Sequence, residues 1–226
     1  MLILVSKVYN NYYLERQFMI KKIIFDVDQT LLDSEKDCMN AYIKYYHDKD
    51  IAKKLYDLIG KYDETHNNFN KDELIEYISC NIGCKFNKDD FKKIFKIYSH
   101  EATIYPGVKD VLERLSKDYE LVTLSRWFVS DQRERLKTVN IDIYFSEVYG
   151  FENAGVKPSE ESYLNALGNT KKSECLVVGD NLKYDYLIPK EIGMKSLLLS
   201  RDNNINCDHI NELNEIFEYL KKESNV

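Results

Sequence analysis

The stretch Lys21-Lys-Ile-Ile-Phe-Asp-Val-Asp-Gln-Thr-Leu-Leu32 decides the fold. A short apolar run after a basic pair reads as a buried strand, and this one stops at a carboxylate, Asp26. Asp28 follows two residues on, so in extended backbone the two side chains share a side. Carboxylates that close repel unless a cation or a proton lies between them. The pair suits a hard divalent ion such as Mg2+, and also a nucleophile beside a general acid/base. As plain structure, the same two residues would be N-caps in a turn.

Working outward, residues 34–103 carry a different rhythm. Ala41/Tyr42/Tyr45, Leu55/Leu58/Ile59, Leu74/Ile75/Ile78 and Phe91/Ile94/Phe95/Tyr98 recur at helical spacing, with no strong strand run between them. That is a unit of about four helices. Tyr105-Pro-Gly-Val108 is turn chemistry and marks the return to the first pattern. Val111, Leu112 and Leu115 share a helix face, and strand runs follow at 119–125, 144–149, 174–179 and 195–199. Helical segments at 129–139, 160–167, 182–192 and 210–222 separate or follow them. Alternation of this kind implies right-handed crossovers: an α/β fold with a Rossmann-like parallel sheet and helices on both faces, plus an inserted helical bundle.

Composition bounds the partners. The 226 residues are 44% hydrophobic, enough for a real core, and the net charge is −6. That mild acidity argues against nucleic acid or an anionic membrane as a bulk electrostatic partner. No apolar run approaches the roughly 20 residues of a membrane span. Met1-Leu-Ile-Leu-Val5 lacks the flanks of a signal peptide. The five cysteines form no CxxC pair, and Cys80 and Cys84 stand at helical spacing as packing residues would. Reduced thiols and a cytoplasmic location fit best.

Three apolar strands end in polar residues: Asp26, Ser125 and Asp180. In open parallel sheets, ligands bind beyond the carboxyl ends of the strands, so these three belong to one crevice. Gly179-Asp-Asn-Leu-Lys-Tyr-Asp185 adds two carboxylates at a strand-to-helix junction, where Asp180 or Asn181 could instead be the helix N-cap. Gly155-Val-Lys-Pro158 fixes a lysine in a turn, although a lone lysine there is ordinarily solvated.

Taken together, DxDxT at 26–30, the strand-end Ser125, Lys157-Pro158 and the GDxxxxD run at 179–185 resemble the haloacid dehalogenase (HAD) superfamily. The likeness is to phosphatase-type members with a helical cap after the first motif. It implies a core of 21–33 and 104–226, a cap of 34–103, and an N-terminal extension of 1–20 with a possible alternative start at Met19. Residue by residue, it implies Asp26 as nucleophile and Asp28 as the general acid/base, with Asp28 expected to hold the proton of the pair. Thr30 would support the loop. Ser125, or else Thr123, would bind phosphate, and Lys157 would stabilise charge. Arg126 would touch the substrate phosphate or point to solvent. Mg2+ would be held by Asp26, the Asp28 carbonyl and Asp180, with Asp185 as an outer or alternate ligand.

The implied reaction is hydrolysis of a small phosphorylated metabolite through an aspartyl-phosphate. Asp28 argues against dehalogenation, which in this superfamily does without the second acid. Gln29 stands where mutase relatives carry Gly, which leaves phosphomutase as the minor alternative. A non-catalytic HAD-like binding protein would require a lost catalytic residue. His47, His66 and His100 read as surface or helix-end residues.

Overall fold

A computed structural model describes residues 19–66, 70–201, 205 and 207–224. The extension at 1–18 and the alternative start that concerns it therefore lie outside the described residues, save for Met19 itself. Six strands form one parallel sheet: β1 Lys22–Phe25, β2 Glu120–Leu124, β3 Glu147–Tyr149, β4 Cys175–Gly179, β5 Lys195–Leu199 and β6 His209–Ile210. Their spatial order is β3-β2-β1-β4-β5-β6. The chain leaves β1, builds outward through β2 and β3, then crosses back to β4 on the other side of β1. That reversal opens a crevice beyond the carboxyl ends of β1, β2 and β4.

The strands bury both faces because neighbouring side chains point opposite ways. Ile23 and Phe25 join Leu121, Leu176, Val178 and Leu197 on one face, under helices α5 Val108–Leu115 and α8 Ile216–Glu223. Ile24, Val122, Leu124 and Val177 take the other face, under α7 Glu160–Leu167.

Between β1 and α5 stand α1 Ser34–Tyr46, α2 Lys49–Thr65, α3 Lys71–Asn81 and α4 Lys88–His100. Their starts are capped by Asp33, Asp48, Asn70 and Asn87, each accepting backbone N–H bonds that a helix start leaves unpaired. Phe91, Ile94, Phe95 and Tyr98 line one face of α4 and pack with Ala41, Tyr42, Leu55 and Ile78 in a separate apolar cluster. His47 and His66 are the C-caps of α1 and α2, and His100 closes α4. The two linkers to this helical insertion run side by side: Asp33 N donates to Thr103 O at 2.9 Å, and Tyr105 N to Leu31 O at 3.1 Å.

Two expectations need correction, and one is met with a local change. The strand expected over 144–149 is paired only at Glu147–Tyr149, because 142–144 winds into a tight turn of helix. The helix expected over 182–192 is present, widened to a π-helix at Leu182–Leu187 before it continues as the short α-helix Ile188–Glu191 with Pro189 in its first turn. The helix expected from Ile210 begins at Ile216, and Ile210 belongs to β6.

Candidate active site

β1 delivers Asp26 to the crevice with its backbone N–H bonded to Val178 O of β4 at 2.8 Å. β2 ends at Leu124 and places Ser125 next to it. β4 ends at Gly179 and places Asp180 on the other side. Asn181, not Asp180, caps the following turn, accepting from Lys183 N and Tyr184 N. Asp180 is thereby left to the crevice. Asp185 returns from that turn to accept from Asn181 N at 3.0 Å.

Lys157 is almost fully buried. Its Nζ lies 2.7 Å from Asp26 Oδ1, 2.5 Å from Asp185 Oδ1 and 3.1 Å from Leu124 O. Asp26, Asp180 and Asp185 each bring one oxygen within 4.8 Å of the others. Three carboxylates thus face one ammonium, a donor set of hard oxygens with unbalanced negative charge, which fits a divalent cation such as Mg2+. The imbalance shows in the acidities. Burial pushes Asp26 well above the ordinary carboxylate range; Lys157 opposes this, and Asp185, Asp180 and Asp28 add to it. Burial, with Asp185 beside it, pushes Asp180 up to about 6 against the pull of Lys157. The Thr30 hydroxyl lies 3.2 Å from Asp26 Oδ2 and 3.3 Å from Asp180 Oδ1, and its one proton serves either.

Asp28 lies apart from that cluster. Its Oδ1 accepts from Ser34 Oγ at 2.5 Å, Arg135 Nη1 at 2.6 Å and Tyr98 OH at 3.3 Å. Its Oδ2 accepts from Gln132 Nε2 at 2.6 Å and Ser125 Oγ at 3.1 Å. Burial favours the protonated form, but the Arg135 guanidinium and these hydrogen bonds outweigh it and lower the Asp28 pKa. In the metal-free site, then, Asp26 is the carboxyl driven towards protonation and Asp28 is driven away from it.

Both hydroxyls are buried, but Ser125 Oγ donates to Asp28 at the crevice, whereas Thr123 Oγ1 has no hydrogen-bond partner. Arg126 does not point to solvent; it lines the cavity and is held by protein partners. Its Nε donates to Asp63 Oδ1 of α2 at 3.0 Å, and Nη1 donates to Lys157 O, so it joins the insertion to the lysine loop. Gln132, Arg135 and Ser34 were missed by motif reasoning. Gln132 and Arg135 stand one turn apart on α6 Val129–Thr138, a spacing that could have marked a polar inner face. The cavity over these groups measures about 450 Å3, and the insertion contributes Tyr42, Tyr56, Phe95 and Tyr98 to its wall.

The family model for haloacid dehalogenase-like hydrolases matches residues 23–199. The chain belongs to that family. It is 27% identical over 194 residues to the glyceraldehyde 3-phosphate phosphatase of Pyrococcus abyssi, covering 79% of this chain and 81% of the relative. It is 25% identical over 229 residues to the enzyme of the same name from Pyrococcus furiosus, covering 91% and 95%. Among solved structures, a HAD-hydrolase of Bacillus subtilis bound to magnesium superposes with a TM-score of 0.73 at 19% identity, covering 90% of this chain and 99% of that one. As a member of this family, the chain is a hydrolase. Among the described residues, no helix is long and apolar enough to cross a membrane.

Proposed function

We propose that the protein hydrolyses a small phosphate monoester through an aspartyl-phosphate on Asp26. The observation that carries this reading is the buried Asp26 carboxylate, held by Lys157 at the edge of a three-carboxylate cluster. The phosphatase names of the two Pyrococcus relatives support it. Asp26, Asp180 and the Asp28 carbonyl would hold Mg2+, with Asp185 behind them. When bound, the ion neutralises charge between nucleophile and substrate and favours ionised Asp26.

In the first step an Asp26 oxygen attacks phosphorus, the Asp26–phosphorus bond forms, and the bond to the leaving oxygen breaks. Lys157 and Ser125 hold the phosphoryl oxygens, and such preorganised donors supply much of the rate. A dianionic phosphoryl group there takes the Ser125 hydroxyl away from Asp28 and sets negative charge beside it. Both changes favour protonation of Asp28, which then gives that proton to the leaving alkoxide. In the second step Asp28 takes a proton from water, the water oxygen bonds to phosphorus, and Asp26 is released. The helical insertion, residues 34–103, acts as a cap that excludes water and meets the leaving group. The substrate is a small phosphorylated metabolite, with glyceraldehyde 3-phosphate as the first compound to assay. Five free cysteines support a reducing compartment such as the cytoplasm as part of this reading.

The test is Mg2+-dependent phosphate release from a panel of esters by wild type and Asp26→Asn. The variant should stay folded and lose roughly 10³-fold or more in kcat. Equal turnover by the variant, or none by wild type on any ester, refutes the reading.

A further inference from the structure

Arg135 is the largest fully buried side chain among the described residues, and it lies in none of the four motifs. A buried guanidinium needs acceptors, and those that its two terminal nitrogens have are informative. Nη1 donates to Asp28 Oδ1 at 2.6 Å and to Gln132 Oε1 at 3.0 Å. Nη2 donates to Ser34 Oγ at 2.9 Å and to Asp37 Oδ2 at 3.0 Å. The guanidinium carbon lies 4.1 Å from the ring centre of Tyr98, near the end of α4.

Ser34 and Asp37 begin the helical insertion. The same Asp37 oxygen also accepts from Thr103 N at 3.0 Å, where the chain leaves the insertion. One guanidinium thus touches the Asp28 carboxylate, the incoming linker directly, and the outgoing linker through Asp37. Gln132, bonded to Arg135, also donates to Ser125 Oγ at 2.8 Å, and Trp127 N donates to the same oxygen at 3.0 Å. With both of these donors directed at it, the hydroxyl has its single proton left for Asp28.

We propose that Arg135 is a positioning residue that fixes the orientation of the Asp28 carboxylate and ties it to both linkers of the helical insertion. The proposal rests on the phosphatase reading above. Arg135 touches no reacting atom; it acts through Asp28. Asp28 must point one oxygen at the leaving group during the first step, and a displacement of about 1 Å at such a group can cost about 100-fold. The planar fork of arginine reaches Asp28 and Asp37 together, which a single ammonium does not reproduce.

The experiment measures kcat/KM, which reports the transfer to Asp26, on an alkyl ester (glycerol 3-phosphate) and an aryl ester (4-nitrophenyl phosphate). An alkoxide needs the proton from Asp28, whereas a nitrophenolate leaves without one. Arg135→Lys should lower kcat/KM on the alkyl ester about 10- to 100-fold and on the aryl ester less than about threefold. Asp37→Asn keeps Arg135 and Asp28 but weakens the tie to the linkers, so it should show the same selective loss, smaller in size. A purely structural role would lower both esters together, and that parallel loss, or full alkyl activity in Arg135→Lys, overturns the proposal. If Arg135→Lys does not fold, Asp37→Asn decides by the same comparison. Wild type inactive on both esters removes the phosphatase reading first, and the proposal with it.

Discussion

Lys157→Met keeps most of the side-chain stem and deletes the charge. In the wild type, Nζ stands 2.7 Å from Asp26 and 2.5 Å from Asp185, with both carboxylates largely shielded from water. The variant leaves them facing each other with no counter-charge. Removing one partner of a buried ion pair costs about 3–5 kcal/mol. For a chain of this length each kcal/mol lowers Tm by about 2–4 °C, so a drop of about 6–20 °C is expected in the metal-free protein. The sign of the pH dependence follows from Asp26, whose folded pKa already lies above its ordinary value. Without Lys157 it rises further, so the folded state binds the proton more tightly than the unfolded state. The deficit is then largest at about pH 8 and shrinks towards about pH 5, as Asp26 gains its proton. Melting curves followed by circular dichroism, in chelator at both pH values and then with excess Mg2+, measure this. Mg2+ should recover part of the loss. A variant as stable as wild type at about pH 8, or a deficit unchanged by pH, would show that the lysine is not the counter-charge described here.

Two further expectations concern the same cluster. A Cβ on Gly179 would lie 2.3 Å from Asp185 Cγ, so Gly179→Ala must push Asp185 off Lys157; urea unfolding should show a loss of about 1–3 kcal/mol, and an unchanged midpoint would contradict the packing. Asp180 is held at about 6, above its unfolded value, so its share of metal-free stability falls as pH rises from about 4 through about 6. Stabilisation by Mg2+ should therefore grow over that window in thermal scans, and a pH-independent effect would count against Asp180 as a ligand.

Five of the six strands were legible in the sequence, β3 only within a longer run, and the other four because a strand buried on both faces must be nearly continuous in apolar residues. Lys22–Phe25, Glu120–Leu124, Cys175–Gly179 and Lys195–Leu199 all meet that condition. β6 did not show, because two residues, His209 and Ile210, make no pattern. The carboxylates at the strand ends were legible from their spacing. Arg135 was not: an arginine on a helix reads as solvated, and its partners beyond its own helix, Asp28, Ser34 and Asp37, stand 107, 101 and 98 residues away along the chain. The pull on Asp28 was hidden for the same reason, since a cation invisible to the local motif offsets the effect of burial and lowers its pKa.

Trp127 and Phe128 follow the strand-end serine, yet they pack with the apolar cluster of the helical insertion; the Trp127 ring lies tilted 5.1 Å from Phe95, and the Phe128 ring lies edge-on 6.5 Å from Phe91. The insertion is therefore not an interchangeable part. A chimera that grafts another relative's helices between residues 33 and 104 would strand two large aromatic side chains on the α/β core unless residues 127 and 128 were exchanged with them. Recombination, natural or engineered, has to treat that dipeptide and the helices as one inherited unit.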